Sequence, residues 1–224
     1  MNKVTKWLIS GFTASLISGF TPIAKADSPL TSTNFYQAYQ DVELVNKAAQ
    51  KQLTPALMDA LSDPTIPNDQ RAAIINALGW SIEGQSNATV YLDYLAKKYQ
   101  KNRSDLKLES LITEEIFALG YLLAMDDYFT LKALGGKGEL EQADAVTLLS
   151  TAAARQPQDY TIALIDKLAQ SQIYLADFSQ WCTVYKTVST IVYNFPPERN
   201  LRPEAVKIIM DYIQNYQEYC QKKQ

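Results

Sequence analysis

The chain has 224 residues, 47% of them hydrophobic and 20% charged, with 8 glycines, 9 prolines and 2 cysteines, a profile that excludes disorder, collagen and a dense disulfide scaffold. Its formal net charge is −3 and it contains no histidine. The missing imidazole excludes a Ser-His-Asp triad, a Cys-His nucleophile pair, an HExxH zinc site and a haem held by histidine.

At the N-terminus, Lys3 and Lys6 precede an uncharged, mostly apolar run from Leu8 to Phe20, and Ala24-Lys25-Ala26 follows the small-x-small cleavage rule. The expected organisation is therefore a signal peptide over residues 1–26 and one domain over 27–224, periplasmic or secreted, with Asp27 first in the mature chain. A retained anchor is the competing reading. The run is interrupted by Ser10, Gly11, Thr13, Ser15, Ser18 and Gly19 and is shorter than the ~20 apolar residues of a span. No cysteine adjoins the cleavage site to carry a lipid. Removing residues 1–26 takes away three lysines and no acid, which leaves 18 basic against 24 acidic side chains, net −6. That sign argues against nucleic acid or an anionic membrane as partner.

Helical signals then follow one another. Thr54 before Pro55 supplies an N-cap and an N1 proline, Asp63-Pro64-Thr65-Ile66-Pro67 breaks the chain, and Asn68 is placed to cap a helix carrying Ala72, Ile75, Leu78 and Ile82. Ala88, Tyr91, Leu92, Leu95 and Tyr99 form one amphipathic face, and Ile112, Ile116, Leu119 and Leu123 form the next. Gly135-Gly136-Lys137-Gly138 is read as a helix end rather than a phosphate cradle, because it lacks the GxxxxGK[ST] order and a preceding strand. Glu139 to Arg155 reads as one helix, Pro157 interrupts, and Leu164, Ile165 and Leu168 mark another. Cys182 to Tyr193 is rich in strand-favouring Val, Thr and Tyr, yet two stripes, Leu175-Phe178-Cys182-Tyr185-Val192 and Trp181-Val184-Val188-Ile191-Phe195, predict a helix buried on a wide face. A last helix spans Glu204 to Cys220, after Pro196-Pro197 and Pro203. The count is nine or ten helices in an all-α fold.

Ile75-Asn76-Ala77-Leu78-Gly79-Trp80 and Ile116-Phe117-Ala118-Leu119-Gly120-Tyr121 match at a separation of 41. A period near 40 with two helices per unit resembles the HEAT and armadillo α-solenoids over about residues 54–170. The resemblance implies an array of antiparallel helix pairs wound as a HEAT-like right-handed α-α superhelix, with one surface open to a partner.

Cys182 and Cys220 are expected to form one structural disulfide between two late helices; a redox or metal pair is the alternative, without CxxC spacing to support it. Glu114-Glu115 and Asp126-Asp127 flank one predicted helix, and Glu83 ends the corresponding earlier one. Acid-base chemistry on a sugar would draw on Glu83, Asp126 and Asp127, against the simpler reading of helix caps. No DxDxDG loop points to calcium, and no cofactor or metal is expected. Asn87-Ala88-Thr89 and Asn102-Arg103-Ser104 match the glycosylation pattern, the first also serving as a helix cap. With 14 tyrosines in the chain, an aromatic interface is the natural inference, and Tyr94, Tyr128 and Tyr212 are the candidate binding residues. The expected function is an exported, non-catalytic protein-binding or scaffold module. The alternatives are a carbohydrate-active hydrolase or lyase using paired carboxylates, and an inhibitor or immunity-type protein directed at an exported enzyme or toxin.

Overall fold

A computed structural model describes residues 28–196 and 198–221. The signal-peptide segment, with Asp27, lies outside the described residues. Ten α-helices are found among the latter: α1 (Glu43–Ala48), α2 (Pro55–Leu61), α3 (Asn68–Leu78), α4 (Asn87–Lys98), α5 (Thr113–Asp126), α6 (Glu139–Gln142), α7 (Ala145–Arg155), α8 (Tyr160–Gln172), α9 (Trp181–Asn194) and α10 (Pro203–Ile213). Short 3-10 turns join them, notably Phe35–Tyr39 and Gln214–Cys220. The described residues contain no strand, and none of their helices is long and apolar enough to cross a membrane.

Capping chemistry sets many of the boundaries. The Thr54 side chain accepts from the Leu57 N–H with Pro55 at the first helical position, as expected. Asp144 and Asp159 cap α7 and α8 by accepting from Thr147 and Ile162. The first of these caps corrects the continuous helix expected over Glu139 to Arg155: the chain unwinds at Ala143 and Asp144, and α7 starts afresh. At α3, Pro67 occupies the cap position and Asn68 is the first helical residue. Nor does the glycine cluster end a helix, since α5 stops at Asp126 and an irregular segment carries the chain to Gly138.

The centre of the molecule is α5, buried on every side from Glu115 to Asp126. Helices α2, α3, α4, α7 and α8 all contact it. Against α7 the approach is closest at Gly120, where a Cβ would stand 2.9 Å from Leu148 Cβ and 3.1 Å from the Leu149 backbone nitrogen. Helix α9 is helical as its stripes require, but its buried face is narrower than expected, being limited to Val184, Val188, Ser189 and Val192. Cys182 and Cys220 are disulfide-bonded, with their Cα atoms 4.7 Å apart, and tie α9 to the last 3-10 turn. In the chain-entropy account, closing a loop of this size contributes roughly 3–4 kcal/mol.

Two features depart from a HEAT-like superhelix. The Ala-Leu-Gly copies are not equivalent: Gly79 terminates α3 with φ +66°, whereas Gly120 lies inside α5 at its contact with α7. The first and last elements of the described residues also meet, whereas stacked repeats contact only their neighbours. The Phe35–Tyr39 turn packs on α3 and α10. The Tyr39 hydroxyl donates to Asp69 at 3.0 Å and accepts the Arg202 N–H at 3.1 Å, and the Arg202 guanidinium lies 4.3 Å from the centre of the Tyr39 ring while pairing with Asp41. Ser28 donates to Gln172 at 2.5 Å, and Asn76 bridges Thr33 and Tyr36 to α3.

Replacing Gly120 with alanine raises helix propensity by about 1 kcal/mol, yet the added methyl would stand 2.9 Å from Leu148 Cβ and 3.1 Å from the Leu149 nitrogen, so α7 has to shift to admit it. Urea unfolding of G120A is expected to show a net loss of roughly 1–3 kcal/mol. An unchanged or higher midpoint would mean that α5 and α7 are not so closely packed.

Candidate functional site

The acids singled out in the sequence are drawn into structure. Glu115 is fully buried and accepts from the Lys98 ammonium at 2.7 Å, the Tyr99 hydroxyl at 2.7 Å and the Ile112 N–H at 3.2 Å. Burial, and donation to that carboxylate, push the Tyr99 phenol well above its ordinary value. Glu114 accepts from the Gln156 amide. Asp126 reaches from the end of α5 to the start of α4 and accepts the Ala88 N–H at 2.7 Å. It is thus a cap supplied from another helix, in the place expected for Asn87, whose own amide instead donates to Gln85. Burial raises the Asp126 carboxyl to about 6, against the pull of the Ala88 and Asn87 N–H groups, and its second oxygen has no hydrogen-bond partner. Asp127 holds the following turn through the Thr130 hydroxyl and N–H. Glu83 is exposed in the loop between α3 and α4. None of Glu83, Asp126 and Asp127 lines the cavities described below.

The three candidate tyrosines fall at separate places. Tyr94 is half-buried, stacked parallel on Tyr91 with ring centres 5.9 Å apart, and donates to Asp59 at 2.8 Å. Burial and that donation push its phenol up to about 12. Tyr212, also half-buried, shares a hydrogen bond with Tyr216. Tyr128 is buried, edge-on to Trp80 at 5.0 Å and against Phe129 at 4.2 Å. It alone of the three lines a cavity.

That cavity, about 390 Å³, is walled by Ser28, Tyr128, Phe129, Leu131, Ile173 and Leu175. Phe129 is 73% exposed and Ile173 59% exposed, so two large apolar side chains stand in solvent at its mouth. Both lie just past helix ends, Phe129 after α5 and Ile173 after α8, where the apolar periodicity no longer demands burial. The sequence signal for them is an aromatic or branched residue immediately beyond a helix stop.

A larger cleft of about 710 Å³ opens between the α7–α8 turn and residues 198–200. Its polar groups have structural duties. Arg155 donates to the Leu108 and Leu111 carbonyls, Asp159 accepts from Asn68, Ile162 and Asn200, and the Arg199 guanidinium lies 5.1 Å from the centre of the Tyr160 ring. Through Asn68 this network joins Arg71, a fully buried guanidinium that donates to the Leu61 and Asp63 carbonyls. These are the partners that a buried charge needs.

No protein-family model, curated protein or solved structure matches the chain.

The Asp126 carboxyl gives a signed pH dependence. Its folded value, about 6, exceeds the ordinary 3.8, so an unfolded chain releases this proton first as pH rises. Stability from this group is therefore present below about pH 4, falls between about pH 4 and 6, and stays lower above that, by up to the order of 3 kcal/mol. Asp126→Asn keeps an acceptor for the Ala88 N–H and has no charge to desolvate. Denaturant titrations across this range are expected to show that D126N lacks the fall and is more stable at pH 7 by roughly 1–2 kcal/mol. A variant that tracks the parent at every pH would contradict the assignment.

Proposed function

We propose that the protein is an exported, non-catalytic protein-binding module that docks an apolar segment of its partner at the cavity formed by Tyr128, Phe129, Leu131, Ile173 and Leu175. The observation that carries this reading is the pair of exposed side chains, Phe129 and Ile173, at the mouth of a preformed cavity whose apolar wall also carries Ser28, Thr130 and Gln172. Exposed apolar groups gathered at a concavity mark interaction sites. The disulfide fits an oxidising compartment, and the leader-like residues 1–26 supply the route to it. Within residues 54–170, the contacts that run from α3 and α4 to α5, from α5 to α7 and from α7 to α8 are what supports a HEAT-like arrangement there. A hydrolase reading has less support, because the acids it requires cap helices, hold turns or stand apart.

The test expresses the full chain in a host with a secretory pathway, checks the exported fraction for a product of mass beginning at Asp27, and places a photo-crosslinking residue at position 129. The expected result is export, and one partner crosslinked from 129 whose capture is lost in I173D but kept in Y94A. Retention inside the cell would overturn the export reading, and crosslinking unaffected by I173D would overturn the docking face.

A further inference from the structure

A second surface, built around the disulfide, is chemically different. The Trp181 indole is ringed by Phe178 at 4.5 Å, Tyr219 at 4.7 Å and Tyr216 at 5.4 Å between ring centres, the two tyrosines edge-on, and its N–H donates to the Leu175 carbonyl at 3.0 Å. Trp181 directly precedes Cys182 and Tyr219 directly precedes Cys220, so the bond that joins the two cysteines also fixes the two rings against each other. Tyr219 stands between two open clefts. One, about 430 Å³, brings Gln214, Asn215 and Glu218 to the Trp181 side. The other, about 560 Å³, brings Ser179, Thr183 and Lys186 to the side of Phe178, which is 71% exposed.

We propose that these clefts form one binding site for a neutral oligosaccharide, with sugar units on either side of Tyr219, Phe178 as the exposed stacking platform and Trp181 as the ring that holds Tyr219 and Phe178 in position. A pyranose ring offers a face of C–H groups to an aromatic ring and a rim of hydroxyls to planar amides and carboxylates, and both kinds of group meet here. Lys186 is the single cation among the lining residues, and the mature chain is acidic, so a phosphorylated or uronic ligand is disfavoured. Glu218 is the only carboxylate lining either cleft, and glycoside hydrolysis by the ordinary route needs two. The site therefore binds without cleaving. It does not depend on the protein-docking face, and the two are tested by different residues.

The experiment is an NMR titration of the oxidised mature protein with two soluble probes, cellohexaose and chitohexaose. Saturable shifts confined to residues 178–186 and 214–220 are expected for at least one probe, with a dissociation constant below about 1 mM. Trp181→Ala and Tyr219→Ala are expected to weaken binding by at least about tenfold while leaving helical circular dichroism intact, and Phe129→Asp to leave it unchanged. Cys182→Ser with Cys220→Ser is expected to weaken it as well; should that variant fail to fold, the aromatic variants decide. No shift with either probe at millimolar concentration, shifts elsewhere on the surface, or binding undiminished in Trp181→Ala overturns the site.

Discussion

Helix α5 has no solvent face from Glu115 to Asp126, and the rest of the structure follows from having to enclose it. A helix that is apolar all round cannot be satisfied by one neighbour. Five helices contact it, and α7 comes close enough that a side chain at residue 120 would force it back. Enclosure also decides what becomes of the acids at its ends. Glu115 is carried out of water and is stable there because Lys98, Tyr99 and the Ile112 N–H surround it. Asp126, at the other end, meets the first N–H groups of α4, where a helix terminus favours negative charge. Of the acids that the sequence offers for catalysis, Asp126 thus fastens the central helix to α4, while Asp127 holds its own turn and Glu83 stands in an exposed loop.

Much of the architecture was legible from local chemistry. The stripes of α4 and α5, the Thr54-Pro55 start and the helical rather than extended course of Trp181 to Asn194 follow from spacing and capping alone. The pairing of Cys182 with Cys220 followed from there being two cysteines in a chain that looks exported. What stayed hidden depends on distant neighbours. Gly79 and Gly120 sit in nearly the same hexapeptide, yet one ends a helix and the other admits a neighbouring helix, and no local rule separates them. Asn68 has the look of a cap, but a buried guanidinium three residues on and Asp159 across the fold claim its side chain. Asp126 accepts from the first turn of a helix through Ala88, 38 residues before it, a relation only the packing reveals.

The candidate site was legible in smaller part. Of Tyr94, Tyr128 and Tyr212, Tyr128 lines the apolar-mouthed cavity, while Tyr94 is drawn onto Tyr91 and Asp59 and Tyr212 onto Tyr216, contacts that spacing does not reveal. Phe129 and Ile173 lie in the connections after α5 and α8, outside any stripe, so periodicity assigns them no place, whereas Phe178, read as part of a buried stripe, falls in the 3-10 turn before α9 and is exposed. The two proposed faces both use the segment between α8 and α9: Ile173 and Leu175 on one, Phe178 and Trp181 on the other.

Native-state hydrogen exchange tests most directly the claim that everything is built around α5. The amides of residues 117–125 are expected to be the slowest in the chain, exchanging only through global unfolding and with a protection free energy equal to that from denaturant titration. If they exchange as readily as those of α9 or α10, then α5 is not the enclosed centre, and the structural roles assigned to Glu115, Gly120 and Asp126 fall with it.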